Sequence, residues 1–79
     1  PKDHTNGEFD IVTEDEEGYV FYEVKFRRSP ITKAMVEEEI AQVEKTGLAC
    51  YKYVFFSRSG FEEMSIENVV KVDIKSLFP

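Results

Sequence analysis

The chain has one cysteine, Cys50, and one histidine, His4, among its 79 residues. A single cysteine cannot close a disulfide within the chain, which fits a reducing compartment, and we therefore expect a cytoplasmic protein. One cysteine and one histidine also fall short of the four ligands that a structural zinc site requires. A disulfide scaffold and a zinc-stapled domain are thus both disfavoured by composition.

The sequence also lacks an apolar run long enough to span a membrane, and it carries no secretory signal, so we expect no membrane partner. Its length allows one modest core that buries about 60% of the surface of the unfolded chain. We find no repeat or low-complexity segment, and interpret residues 1–79 as one domain. Because the chain opens at Pro1 without a methionine, we expect this domain to be excised from a longer protein.

Positive charge is scarce, and the net charge of −6 disfavours a simple nucleic-acid-binding module, which is usually basic. The charges are unevenly spread, however, with acids concentrated in residues 14–17 and 37–39. Lys25, Arg27 and Arg28 follow one another at the end of a predicted strand. They form either a rim that meets phosphate or a set of solvated charges. Ser57 and Arg58, which end another predicted strand, are further candidates for a phosphate contact.

Two predicted strands, residues 7–12 and 22–26, carry charge at alternate positions. Because side chains alternate across a strand, Glu8 and Asp10 share one face of the first strand, and Glu23 and Lys25 share one face of the second. The acidic segment 15–18 between the strands fits a hairpin loop that ends in glycine.

This turn fixes the register of the hairpin. It places Asp10 opposite Glu23 and Glu8 opposite Lys25, and opposed side chains project to the same side. Two opposed carboxylates destabilise a hairpin unless a cation lies between them. That cation is either Lys25, diagonal to Asp10, or a bound divalent metal, which prefers hard oxygen ligands.

The order Asp10, then Glu23-Val24-Lys25 on a following strand, resembles the PD-(D/E)XK superfamily of restriction-endonuclease-like nucleases. Together with residues 7–12 and 53–61, the chain is similar to the nuclease-like C-terminal domain of unknown function that is attached to archaeal and bacterial P-loop ATPases. The resemblance extends over nearly the whole chain from Gly7. It implies an ATPase domain of the parent chain and nucleic acid as partners.

The resemblance also implies residue roles for hydrolysis of a phosphodiester. Asp10 and Glu23 would hold Mg²⁺ or Mn²⁺, with the carbonyl of Val24 as a further ligand and Glu8 as an auxiliary one. Lys25 would position the attacking water or neutralise developing charge. The alternatives are a catalytically inactive nuclease-like module that binds nucleic acid or protein, and a structural domain whose hairpin charges are only ion pairs.

The remaining pattern predicts a helix and then a central strand. Either Ser29 or Thr32 caps the helix, and Gly47 ends it. Residues 51–56 form an apolar run that is typical of a strand buried on both faces. A helix between two strands permits a parallel crossover.

A second helix is predicted by Ser59 and Glu62, which fit a capping box, and residues 69–74 form the last strand. The predicted fold is therefore α/β, a restriction-endonuclease-like mixed sheet in the order β-β-α-β-α-β. The family usually has a helix before the first of these strands, and none fits in residues 1–6. We expect the parent chain or another chain to supply it.

The faces of the hairpin yield one further expectation. We expect the first helix to cover the face that carries Ile11, Tyr22 and Val24, which leaves the charged face with Tyr19 and Phe21 open. Exposed aromatic surface favours self-association, so a homodimer is predicted.

Overall fold

The structure, a computed structural model, describes residues 8–77. These residues form a four-stranded mixed sheet in the order β1-β2-β3-β4, one α-helix and a short 3₁₀ turn. No helix in this part of the chain is long and apolar enough to cross a membrane. The elements are β1 (Glu8–Asp15), β2 (Gly18–Lys25), α1 (Lys33–Lys45), β3 (Cys50–Ser57), β4 (Val69–Asp73) and η1 (Lys75–Leu77).

The hairpin of β1 and β2 has the predicted register. Asp10 pairs with Glu23, and Asp15 pairs with Gly18, so that the turn proper is residues 16–17 and the ladder runs one pair further than predicted. Gly18 has φ +137, and a Cβ at this position would meet the carbonyl oxygen of Ala49 at 2.9 Å. The turn therefore requires glycine for its backbone angle and for the close approach of the segment that leads into β3. Gly7, the predicted first residue of the strand, lies outside the described residues.

Helix α1 forms as the sequence predicts, with Thr32 as its N-cap. The Thr32 hydroxyl accepts a hydrogen bond from the amide of Met35 at 3.2 Å. At the other end, Gly47 takes φ +85 and its amide donates to the carbonyl of Glu44 at 3.1 Å. Both ends thus satisfy backbone groups that a helix terminus leaves without intrahelical partners.

The helix connects two parallel strands. β2 and β3 pair in parallel, and β3 also pairs in parallel with β4, which makes β3 an interior strand. Tyr53, Val54 and Phe55 at its centre are buried, as expected for a strand covered on both faces. The predicted parallel crossover and the central position of this strand are confirmed.

The predicted second helix is wrong. The segment from Ser59 to the start of β4 is irregular, and its Phe61 forms a parallel bridge with Ile31. The Ile31 amide donates to the carbonyl of Gly60 at 2.9 Å, and the Glu62 amide donates to the carbonyl of Ile31 at 2.9 Å. This pairing between segments distant in sequence outcompetes the local capping box. The described order is therefore β-β-α-β-β, a small mixed α/β fold.

The predicted face for helix packing is also wrong. Val36 and Val43 of α1 lie in one buried cluster with Phe21 and Phe55, so the helix covers the face that carries the charged residues of the hairpin. The physical reason is that this face holds the larger aromatic core, to which Tyr53 contributes as well.

The opposite face retains exposed apolar side chains at both edges of the sheet. Ile11 on β1 is 53% exposed and Val70 on β4 is 42% exposed, whereas Val20 and Val54 between them are buried. The charged face of the hairpin is therefore covered by α1, and the expectation that it lies open is wrong. The homodimer itself stays a prediction.

Candidate functional site

The candidate site lies where the edge strand β1 meets the interior strand β2. Asp10 stands directly opposite Glu23 in the register, and Lys25 follows Glu23 at the next position on the same face. Opposed residues of an antiparallel pair have Cβ atoms about 4.5–5.5 Å apart. The fold thus brings Asp10, Glu23 and Lys25 to one face, as the alternation of charge predicted.

Glu23 and Lys25 form a buried ion pair. Lys25 Nζ lies 3.1 Å from Glu23 Oε2, and the side chains are 5% and 0% exposed respectively. Glu23 stands beside Phe55 in the register of β2 and β3, and Phe55 is itself fully buried. Desolvating two charges costs several kcal/mol per ion, which only close pairing and further hydrogen bonds offset. A buried pair of this kind is therefore a specific feature of this sheet and is unlike a solvated surface contact.

Asp10 differs from Glu23 and Lys25 because its side chain is exposed to solvent. β1 is the edge strand of the sheet, and Val12 on the same face of β1 is also 41% exposed. The site is therefore asymmetric: one carboxylate is accessible from solvent, and the one opposite it is buried beside a lysine.

Glu8 and Val24 are the two remaining residues of the predicted ligand set. Glu8 stands opposite Lys25 in the register, and its side chain lies outside the described part of the structure. Val24 is on β2, between its partner Phe9 on β1 and its partner Phe56 on β3. Its carbonyl lies in a sheet with strands on both sides, so a metal would have to share that oxygen with the ladder. The roles of Glu8 and Val24 stay predictions.

The carboxylate oxygens of Asp10 and Glu23 are the type of ligand that a hard divalent cation prefers. Asp10 and Glu23 offer carboxylate oxygens on a single face, and Mg²⁺ is commonly held by one or two carboxylates while it keeps several waters. Within residues 8–77 there is no group of three or more His, Cys, Asp or Glu side chains placed to hold a metal.

The residues predicted to meet phosphate separate into two groups. Lys25 turns inward to Glu23. The hydroxyl of Ser57 is buried, donates to the carbonyl of Gly60 at 2.6 Å and accepts from the amide of Ser59 at 3.2 Å, so it shapes a turn. Arg27, Arg28 and Arg58 are exposed. Of the residues predicted to meet phosphate, the three arginines thus lie at the surface, whereas Lys25 and Ser57 are buried.

One structural role was missed by the sequence analysis. Glu62 Oε1 accepts a hydrogen bond from the amide of Lys33 at 2.8 Å, so this carboxylate caps the first turn of α1 from a distant loop. An acid near a helix N-terminus also interacts favourably with the helix dipole. The only available signal was Glu62 itself, and local spacing assigned it to a helix that does not form.

Comparisons with protein-family models, with curated proteins and with solved structures find nothing that matches this chain. The resemblance to the PD-(D/E)XK superfamily consequently stays a prediction, as does its specific fold.

Proposed function

We propose that this domain is a metal-dependent phosphodiesterase that acts on nucleic acid, and that it works alongside an ATPase domain of its parent chain. The observation that carries the proposal is the position of Asp10 directly opposite Glu23, with Lys25 Nζ 3.1 Å from Glu23 Oε2. Mg²⁺ or Mn²⁺ held by Asp10 and Glu23 would lower the pKa of a bound water and stabilise charge on a phosphoryl group.

The chain's own residues have distinct tasks in this proposal. Asp10 is exposed and gives a solvent-borne ligand its first contact. Lys25 holds the carboxylate of Glu23 in one orientation and places a positive charge beside it in a poorly solvated region. A fixed cation in such surroundings stabilises developing negative charge more strongly than a solvated one does.

A second candidate function is a catalytically inactive nuclease-like module that binds nucleic acid or protein. Its support is the complete burial of Glu23, whose neighbour Lys25 already provides a counter-charge. In an active site this carboxylate has to become accessible to a metal. In the inactive module the ion pair is permanent, and Asp10 has no task in chemistry.

Calorimetric titration with Mn²⁺ separates these functions, and Asp10→Asn is the informative variant because it keeps size and removes charge. Glu14→Gln is the matched control, since Glu14 is an exposed carboxylate on the same face of the same strand. We expect weak Mn²⁺ binding that Asp10→Asn abolishes and Glu14→Gln leaves unchanged. Cleavage of a fluorescent single-stranded oligonucleotide in Mn²⁺ should follow the same order.

The outcomes discriminate clearly. Binding and cleavage that both depend on Asp10 support the phosphodiesterase. Metal binding without cleavage, or an identical response of wild type and Asp10→Asn, overturns it and favours the inactive module or a purely structural ion pair.

A further inference from the structure

Three exposed arginines lie at the carboxyl ends of the parallel strands β2 and β3, next to the candidate site. Arg27 and Arg28 follow β2 directly, and Arg58 follows β3. Two hydrogen bonds hold these strand ends side by side. The amide of Arg58 donates to the carbonyl of Lys25 at 3.1 Å, and the hydroxyl of Ser59 donates to the carbonyl of Arg27 at 2.7 Å. We call Arg27, Arg28 and Arg58 the arginine rim.

The rim is positioned by the fold. Arg27 Nη1 lies 2.8 Å from the sulfur of Met35, which places this guanidinium at the first turn of α1. Arg58 has a fixed backbone because it continues the parallel ladder beyond Ser57. The three guanidinium groups therefore come from two backbone segments of defined geometry.

The acidic turn of the hairpin lies far from the arginine rim. The exposed acids of residues 14–17 lie at the far end of the hairpin, and β2 runs eight residues from that turn to Lys25. At about 3.3 Å per residue this separation is about 23 Å, which exceeds two Debye lengths of about 8 Å at physiological ionic strength. The rim is thus electrostatically separate from the acidic turn.

Asp73, which stands beside Ser57 in the register of β3 and β4, has its own cationic partner, because its Oδ2 lies 3.6 Å from Lys75 Nζ. Guanidinium groups bind phosphate through two parallel hydrogen bonds, so a set of arginines suits a chain of phosphodiesters better than a single carboxylate.

We propose that the arginine rim binds the sugar-phosphate backbone of a nucleic acid and leads it across the β2 and β3 strand ends toward Asp10. The path of the bound strand toward Asp10 rests on the proposed function, whereas the binding of phosphate by the arginines does not. Binding by such a rim needs no metal and has little base preference, because phosphates carry no sequence information. Its signature is a salt dependence set by the number of phosphates contacted.

The test measures fluorescence anisotropy of a labelled single-stranded oligonucleotide in EDTA at several salt concentrations. The variant is the double substitution Arg27→Gln with Arg28→Gln, and Arg58→Gln is added in a second step. The control is Lys45→Gln with Lys52→Gln, which removes the same charge from the end of α1 and from the first half of β3. Urea unfolding verifies that each variant is folded.

We expect wild type to bind with an affinity that falls steeply with salt. Loss of two phosphate contacts should lower the slope of log K against log salt by about 1.4, at about 0.7 per contact for a single strand. The lysine control should keep the wild-type slope. Arg58→Gln should lower it further.

Equal losses in the arginine and lysine variants would show a general charge effect and overturn the rim, as would an absence of salt-dependent binding. Rim-dependent binding to vesicles of anionic phospholipid, without binding to the oligonucleotide, would overturn the assignment to nucleic acid. The two proposals can be refuted independently. If the oligonucleotide binds in EDTA and binding requires the arginines, but no cleavage occurs in Mn²⁺, the arginine rim is supported and the phosphodiesterase is refuted.

Discussion

Lys25 Nζ lies 3.1 Å from Glu23 Oε2, in a pair that is almost completely withdrawn from solvent. Removing one member of a buried ion pair typically costs about 3–5 kcal/mol, because the other charge stays buried. A domain of this size has a total stability of only about 4–12 kcal/mol. We therefore expect Lys25→Met to lower the free energy of unfolding by about 3–5 kcal/mol, a large share of the total, as measured in urea.

The double variant Glu23→Gln with Lys25→Met serves as the control for this prediction. It removes both charges together, so it should recover a large part of the stability lost in Lys25→Met. A Lys25→Met protein as stable as wild type would show that the pair is solvated in solution. If the double variant is the less stable of the two, burial of an uncompensated charge is not the cause.

The cap from Glu62 to the amide of Lys33 spans 2.8 Å and joins a loop to the start of α1. We expect Glu62→Ala to lower the free energy of unfolding by about 1 kcal/mol, within the range of helix N-cap deletions. Glu63→Ala is the matched control, because Glu63 is an exposed neighbour with the same charge. Equal effects of the two substitutions in thermal or urea unfolding would argue that charge, and not capping, is responsible.

Gly18 and Gly47 both have positive φ, at +137 and +85, but only Gly18 faces a close neighbour. A Cβ on Gly18 would meet the carbonyl of Ala49 at 2.9 Å, whereas one on Gly47 meets nothing within 4 Å. Strain at positive φ costs about 1–3 kcal/mol. Gly18→Ala should therefore be more destabilising than Gly47→Ala in urea unfolding. The reverse order would contradict the close packing of the turn against the segment before β3.

The hydroxyl of Tyr51 donates to Asp15 Oδ2 at 2.5 Å, between β3 and the hairpin turn. This bond lowers the pKa of Asp15 and raises the pKa of Tyr51 to about 12. A lowered carboxyl pKa stabilises the fold above the ordinary value of about 4, and this contribution disappears as pH falls through the folded pKa. A raised phenol pKa stabilises the fold below about 10, and this contribution disappears as pH rises toward the folded value.

The variant Tyr51→Phe should therefore lose stability at neutral pH and show a weaker dependence on pH at both ends of the range. Urea midpoints measured near neutral pH, at about pH 3 and at about pH 11, check this expectation. Tyr19→Phe, on the hairpin that the Tyr51 hydroxyl contacts, serves as the control for loss of a tyrosine hydroxyl. Parallel pH curves for wild type and Tyr51→Phe would contradict a stabilising bond to Asp15.

Local pattern was sufficient for the hairpin and for the first helix. Asp10 and Glu23 were placed opposite each other because strand side chains alternate with a period of two, and a slip by one residue would move the whole set to the other face. Thr32 and Gly47 likewise set the two ends of α1, because capping depends on hydrogen bonds and backbone angles within a few residues of each end. These features depend on neighbours that the sequence shows directly.

Contacts between distant segments decided the rest. Which face of the sheet α1 covers, and hence the burial of Glu23 and Lys25, follows from how Phe21 and Phe55 pack with the helix. Because Ile31 pairs with Phe61, the segment that was predicted to be a second helix is a loop, and Glu62 of this loop caps the first turn of α1. The sequence determined the period of each element and the set of charges on it. Only tertiary packing decided which charges are buried, because burial depends on partners that lie about 30 residues away in the chain.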